Sequence, residues 1–509
     1  MQAPRTPMYM LANVLLLESN QANANMFILV VALARAGYKT WVELWKSRKF
    51  DPKANDEYSK TSSTSCILSA NDGAWPYYPM IDIARQFARN GAKATIISTP
   101  LNASHFSQTI ERDRQDGLEI SISLIEFSCQ EAGLPEGCES LSSTTTLEMS
   151  LKFYRALDLL QQPVEKLLRE NRPDAIVAGL FFWWADDVAL KLNVPRLQFN
   201  GTGFFPMCIY NSLREHKPYE NVESEYEEFV VPGLPDEVKL TRKKSQRRRK
   251  TKIRAHLLRQ VVIGRKAWHV GPVSLFSKSN EEKTHRGLEN SSGDDNCLSW
   301  LNSKKSNSVV YVCFGSMAIF SAAQLLEIAK GLESSGQEFI WVVREKTKDE
   351  RSIDWLPDGF ESRIQGRGLI IKGWAPQVLI LEHEAVGGFI THCGWNSVLE
   401  GVAAGVPMVT WPLSAEQFFN EKLVTEILKM GTPVGAQEWT KRTDDHGEPI
   451  KGDDIQKAVM KLMVGEEGER MRIRAGEFGD MAKRAVEKGG SSDADLKSLM
   501  EEIRNYHHP

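Results

Sequence analysis

Four short stretches in the C-terminal half carry residues able to hold a phosphorylated ligand. The first, His392-Cys393-Gly394-Trp395-Asn396-Ser397, opens a run with helical spacing. Gly394 permits close backbone approach. Asn396 and Ser397 place donors at the positive end of a helix dipole, where an anion is favoured. His392, closing the preceding apolar run, can donate to a phosphate oxygen. Gly315-Ser316 is a turn before a second helical pattern, and its backbone N–H groups and hydroxyl suit a phosphate; taken alone, such turns are common and structural. Glu400, one turn further along the helix, can accept hydrogen bonds from a diol such as that of ribose, although an exposed helix carboxylate is usually only solvated. Trp374-Ala375-Pro376-Gln377 offers an indole face for a nucleobase and adjoining backbone for its edge. A Trp before Pro serves equally well as a core plug.

These stretches follow short apolar runs that alternate with helical patterns. Val309 to Phe314, Phe339 to Val343, Leu369 to Ile371, Gly388 to Thr391 and Val406 to Thr410 read as strands. Leu325 to Leu332 and Trp395 to Ala404 read as helices, stopping near Gly336 and Gly405. Such alternation predicts a parallel sheet covered on both faces. The first half repeats it less regularly: a helix over Met80 to Ala88, strands at Ala94 to Ser98, Ala175 to Ala178 and Leu197 to Phe199, and a helix from Trp184 to Leu192. Two doubly wound sheets in one chain predict two Rossmann-like domains facing a cleft, with ligands beyond the carboxyl ends of the strands. The boundary falls near Gly264 and the basic run from Arg242 through Lys243, Lys244, Arg247, Arg248, Arg249 and Lys250 to Arg254.

Composition excludes several classes. The 509 residues suit two domains, and 42% hydrophobic with 25% charged residues is ordinary for a globular protein. A formal net charge of -3 argues against nucleic acid as a partner, and the basic run reads as a solvated loop. The seven cysteines are scattered without a CxxC pair, which indicates neither a disulfide framework nor a zinc site. The apolar run from Met26 to Ala36 is too short to span a bilayer. A cytoplasmic chain without a transmembrane segment is expected. The only DxD, Asp493-Ala494-Asp495, reads as solvated helix surface rather than a metal site.

The stretch from Trp374 to Gln417, WAPQVLILEHEAVGGFITHCGWNSVLEGVAAGVPMVTWPLSAEQ, resembles the signature box of plant secondary-product UDP-glycosyltransferases almost position for position. GRKAWHVGPVSL, SVVYVCFGSMA, IARQFARNGAKATIISTPLNA, EAGLPEGCE and HKPYENV resemble the subgroup that glucosylates flavonoids, coumarins, triterpenes and hormones. The resemblance implies a GT-B fold and transfer of a sugar, with glucose favoured by Gln417, from a UDP-sugar to a hydroxyl of a small hydrophobic acceptor. It implies inversion without a metal or other cofactor. Trp374 would stack on uracil, with Ala375 and Gln377 beside it. Ser316, His392, Gly394, Asn396 and Ser397 would hold the diphosphate, Trp395 would shape its pocket, Glu400 would bind the ribose, and Glu416 and Gln417 the sugar hydroxyls. The implied division is an atypical segment 1–65, an acceptor domain 66–255, a UDP-sugar domain 256–490 and a C-terminal helix and tail 491–509, working as a monomer.

The sequence also departs from that family. The general-base histidine and its orienting aspartate align with Pro76 and Gly179, neither of which can do acid–base work. Residues before about Tyr78 do not resemble the family's first strand, and the basic run replaces residues that finish the first domain, so an incomplete N-terminal domain with exposed sheet edges is expected. An alternative reading follows: a catalytically impaired UDP-sugar-binding homologue, or the product of a misassembled gene.

Overall fold

A computed structural model describes residues 78–144, 146–245, 266–277, 282–283, 294–316, 318, 320–343, 356–440 and 448–506, together with strand backbone at 13–18 and 65–69. The N-terminal half contributes β1 (Asn13–Glu18), β2 (Ser65–Ser69), β3 (Lys93–Ser98), β4 (Ile120–Leu124), β5 (Ala175–Gly179), β6 (Arg196–Asn200), the ribbon strands β7 (Glu228–Val230) and β8 (Lys239–Thr241), and β9 (Ala267–Val270). Its seven-stranded sheet has the order β4-β3-β2-β5-β6-β1-β9. The first five are mutually parallel.

Beyond β6 the pattern changes. β1 lies antiparallel to both β6 and β9, with Leu16 opposite Gln198 on one side and Ala267 on the other. The expected incompleteness takes this form: the parallel series stops at β6, and a strand from the atypical N-terminal segment is inserted in the reverse direction. That insertion pairs the β6 edge, which would otherwise present a row of unpaired backbone groups. It also corrects the boundary placed between residues 255 and 256, because β9 belongs to the N-terminal sheet.

Helices α1 (Tyr78–Arg89), α2 (Ala185–Leu192) and α3 (Phe204–His216) accompany the first sheet. The C-terminal half begins its sheet with β10 (Val309–Cys313), followed by α4 (Ala322–Ser335), β11 (Glu338–Val343), β12 (Gly368–Lys372), α5 (Gln377–Glu382), β13 (Val386–Thr391), α6 (Trp395–Ala404), β14 (Met408–Thr410), α7 (Gln417–Lys422) and β15 (Gly431–Pro433). The order β12-β11-β10-β13-β14-β15 is parallel throughout. Its centre is buried on both faces, which is why Val309-Val310-Tyr311-Val312 is an unbroken apolar run. Helix ends follow local chemistry. Ser321 Oγ caps α4 by accepting from the Gln324 N–H at 3.2 Å, and α4 and α6 stop at Gly336 and Gly405, both in the left-handed conformation.

The chain then returns through α8 (Gly465–Val486) to α9 (Ser491–Tyr506). Leu496, Leu499, Met500 and Ile503 of α9 join Ile83 and Phe87 of α1 and Trp268 and Val270 of β9 in one apolar cluster. Asp495 is therefore not the solvated surface residue the sequence suggested. Its carboxylate accepts from the His269 backbone N–H at 2.8 Å and lies 3.3 Å from His269 Nδ1, and Ser492 Oγ accepts from the Gly271 N–H at 2.7 Å. Asp495 and Ser492 thus tie the last helix to β9 and the residue after it, while Asp493 accepts from the Gly489 N–H and Lys497 at its own helix start.

The head of the basic run is also structural, in the helical turn Arg242–Ser245. Arg242 donates to the carbonyls of Tyr219, at 3.0 Å, and Val222. Lys243 pairs with Glu438 at 2.6 Å, and Trp439 Nε1 donates to the Lys244 carbonyl at 3.2 Å. Acceptors within reach in both halves turn a run read as solvated into a clasp; Arg247 to Arg254 lie outside the described residues. The C-terminal helix yields a test. Asp495→Ala leaves the His269 N–H without its partner and should lower stability by about 1–3 kcal/mol, read as a shift in the urea midpoint at unchanged slope.

Candidate functional site

The carboxyl ends of β10 and β13 meet around one imidazole. A Cβ on Gly315 would fall 2.7 Å from His392 Cε1, and one on Gly394 would fall 2.4 Å from His392 Nε2. Gly315 also has φ of 74°, so both its space and its conformation exclude larger residues. The His392–Gly394 turn is strained at Cys393, with φ of 62°, and is held from behind. Asn420 of α7, fully buried, donates from Nδ2 to the Cys393 carbonyl at 2.9 Å, while Thr391 Oγ1 accepts from the Cys393 N–H at 3.3 Å. Burial pushes His392 down to about 4, so the imidazole is neutral at physiological pH and offers one N–H, not a charge. Its Nδ1 is buried without a hydrogen-bond partner.

A second group forms where α5 and α6 lie side by side. Gln377 Nε2 donates to Ser397 Oγ at 3.2 Å and to Glu400 Oε2 at 2.7 Å. Gln377 Oε1 in turn accepts from the Tyr311 hydroxyl at 3.4 Å. Gln377, expected beside a nucleobase, has its amide bonded to Glu400 and Ser397. Trp374 precedes α5, half-buried, with its indole N–H buried and unpartnered. Ala375 is buried beneath it. Ser316 is exposed and Asn396 partly so, whereas Trp395 is completely buried against Gly203 of the N-terminal half.

The last pair sits where β14 leads into α7. Gln417 Oε1 accepts from the backbone N–H groups of Leu413 and Ser414 at 2.8 and 2.9 Å, which leaves its NH₂ as the group able to meet a ligand. Glu416 is only 3% exposed, and burial pushes its carboxyl up to about 7. The structure thus gathers His392 with Gly315 and Gly394, and Gln377 with Ser397 and Glu400. Asn420, Tyr311 and Gly203 support them and were missed in the sequence. The signal for Gly203 lay in its place shortly after the strand Arg196–Asn200; Asn420 and Tyr311 gave none, since their importance rests on contacts from distant elements.

On the opposite side, Gly179 ends β5. Its carbonyl accepts from Arg196 Nη2 at 3.3 Å and from the Phe182 N–H at 3.4 Å, and Arg196 pairs with Asp186 of α2. Pro76 lies outside the described residues. Phe181, Phe182 and Trp184 are buried in the core, and Trp184 Nε1 donates to the Leu157 carbonyl at 3.0 Å. His105 ends the short helix Pro100–Ser104. Among the described residues no three His, Cys, Asp or Glu side chains are grouped to hold a metal ion, and no helix is long and apolar enough to cross a membrane.

Comparison with known proteins accords with this geometry. The family model described as UDP-glucoronosyl and UDP-glucosyl transferase matches residues 261–443. A scopoletin glucosyltransferase of Nicotiana tabacum is 48% identical over 459 residues, spanning 84% of this chain and 95% of the tobacco protein. The solved structure of Glycyrrhiza uralensis UGT73P12, complexed with glycyrrhetinic acid 3-O-monoglucuronide, is 37% identical with a TM-score of 0.80, covering 88% of this chain and 96% of that one. Phytolacca americana UGT2, complexed with UDP-2fluoro-glucose and pterostilbene, is 26% identical with a TM-score of 0.64 over 87% and 100% of the two chains. The chain belongs to the family of UDP-glucoronosyl and UDP-glucosyl transferases, in its plant GT-B branch. It is a glycosyltransferase using a UDP-sugar as co-substrate, and the alternative of an impaired or misassembled homologue finds no support in these relatives.

Burial of Glu416 gives a pH test. Its carboxyl goes from the ordinary 4.5 to about 7 on folding, so between those values the folded state holds a proton that the unfolded state has lost. Stability from this group is greatest below 4.5 and is lost as pH rises through 7, by about 3 kcal/mol in total. Urea midpoints of the wild type should fall relative to Glu416→Gln between pH 5 and pH 8; parallel profiles would contradict the assignment.

Proposed function

We propose that the chain transfers a glucosyl group from UDP-glucose to the hydroxyl of a small aromatic or terpenoid acceptor, with inversion and without a metal ion. The observation that carries this reading is the convergence of Gln377, Ser397 and Glu400 on one side of α6 with His392 clamped at the other end of the same loop. Trp374 stacks on uracil. Glu400, held by Gln377, accepts from the ribose hydroxyls. The hydroxyls of Ser316 and Ser397, the Asn396 side chain and the neutral His392 donate to the diphosphate at the positive end of α6. The Gln417 NH₂ and the Glu416 carboxyl meet the sugar. The acceptor class comes from the named substrates and ligands of the relatives, scopoletin and pterostilbene among them. A cytoplasmic monomer is part of the reading; the two halves of one chain meet at Gly203 and Trp395.

In the transfer the acceptor oxygen bonds to the anomeric carbon as the bond to the UDP oxygen breaks, and the acceptor proton leaves the hydroxyl. Donors of the loop and the α6 dipole receive the charge developing on UDP, without metal neutralisation. Gly179 supplies no carboxylate to orient a base, so the acceptor's own acidity governs the proton's departure. A general base is worth about 10²–10⁴-fold. Incubation of the purified chain with UDP-glucose and a panel of phenols and alcohols tests both points. Acidic phenols should outpace aliphatic alcohols by at least about 10²-fold, the rate should climb with pH up to each phenol's pKa, and EDTA should leave it unchanged. No glucoside above background with any acceptor would end the proposal.

A further inference from the structure

Gly203 stands where β6 gives way to α3, on the wall of the N-terminal half that meets the start of α6. Its φ of 76° and ψ of 168° fall in a region that is essentially glycine's alone. The turn before it is locked. Asn200 Oδ1 accepts from the Thr202 N–H at 2.9 Å and from its hydroxyl at 2.6 Å, and Asn200 Nδ2 lies 2.8 Å from Met207 Sδ. A Cβ on Gly203 would fall 2.4, 2.6 and 2.8 Å from Cε2, Cζ2 and Cδ2 of Trp395, distances no packed carbon tolerates.

Neither side has room to give. Trp395 is fully buried, with its Nε1 unpartnered. Phe205, Ile209 and Leu213 of α3 lie in the same apolar cluster as Trp395, and Tyr210 of α3 packs edge-on to Phe419 of α7 at 4.8 Å. Trp395 is also the first residue of α6, next to Asn396 and Ser397 and one turn before Glu400. The acceptor-side half therefore touches the donor-binding helix at its first residue, backbone against ring.

We propose that Gly203 is a positioning residue for glycosyl transfer: the contact between its bare Cα and the Trp395 indole sets how closely the N-terminal half approaches the start of α6, and so the distance from acceptor oxygen to anomeric carbon. This rests on the donor site proposed above. The uridine and diphosphate contacts lie within the C-terminal half, so widening the gap leaves them in place while separating the reacting atoms. A displacement of about 1 Å can cost on the order of 10²-fold in rate.

The test uses the full chain as Gly203→Ala, Trp395→Phe and the double variant. Gly203→Ala should lower kcat by at least about tenfold, while the calorimetric Kd for UDP moves by less than about threefold. Trp395→Phe removes the ring edge that the new methyl meets, so the double variant should regain about fivefold or more over Gly203→Ala alone. Thermal melting of the same four proteins reads the contact without turnover, and the two substitutions should be non-additive in Tm. Additive melting would show that the contact is not made. Loss of UDP affinity in step with kcat, or an unchanged kcat, would overturn the positioning role. A wild type that binds no UDP would instead overturn the functional reading and that role with it, leaving the melting cycle to report the contact alone.

Discussion

An imidazole can lie between the ends of two neighbouring parallel strands only if neither loop brings a side chain to that spot. Gly315 after β10 and Gly394 after β13 meet that condition, and the rest of the donor side depends on it. With His392 seated there, the chain turns sharply through Cys393 and enters α6 with its first N–H groups facing the strand ends. A single methyl on either glycine would displace the ring, the turn and the helix start together. Asn420 supplies the complementary restraint from α7, holding the strained carbonyl that the turn exposes. The site is thus fixed by two absences of bulk and one buried amide, not by an array of charges.

The electrostatics follow from that packing. A half-buried, neutral His392 and a carboxyl at Glu416 that keeps its proton to about neutrality leave little fixed charge at these two positions. Attraction for an anion then comes from backbone N–H groups, hydroxyls and the α6 dipole, which are already oriented and need no reorganisation as charge develops on a leaving group. Glu400 is a carboxylate on the same helix, and the Gln377 amide holds one of its oxygens. In the proposed site that bond orients the carboxylate for a ribose diol.

The C-terminal half was legible because its sequence signals are local. A strand buried on both faces must be apolar throughout, and the helices carry their own stops in Gly336 and Gly405. Each strand-to-loop junction therefore showed in the order of residues, and the site residues stand at those junctions. What was not legible depends on partners far away in the chain. Nothing in Asn13–Glu18 announces that it will lie antiparallel between β6 and β9, since that choice reflects a gap created some hundreds of residues later. Asp495 looked solvated because the His269 N–H that occupies it is 226 residues distant. Phe181, Phe182 and Trp184 are core residues, and the Trp184 bond to the Leu157 carbonyl, 27 residues away, has no local signal. No pattern in the sequence shows that the Gln417 oxygen is already bound by the N–H groups of Leu413 and Ser414.

The two halves also differ in how they hold their loops. On the donor side the Cys393 turn is braced by the Asn420 amide from α7. On the acceptor side, the end of β5 is braced by a charge from its neighbour: the Arg196 guanidinium, almost wholly buried, reaches the Gly179 carbonyl and pairs with Asp186. A buried arginine is costly unless its donors are met, so this ion pair rigidifies the stretch from Gly179 into α2. In the reaction proposed above, that stretch supplies rigidity and the site supplies placement: a donor whose leaving group is stabilised in advance, brought within reach of an acceptor oxygen. Placement tolerates little slack, and the two halves are joined by packing at Trp395 and Phe419 as well as by the Lys243–Glu438 pair.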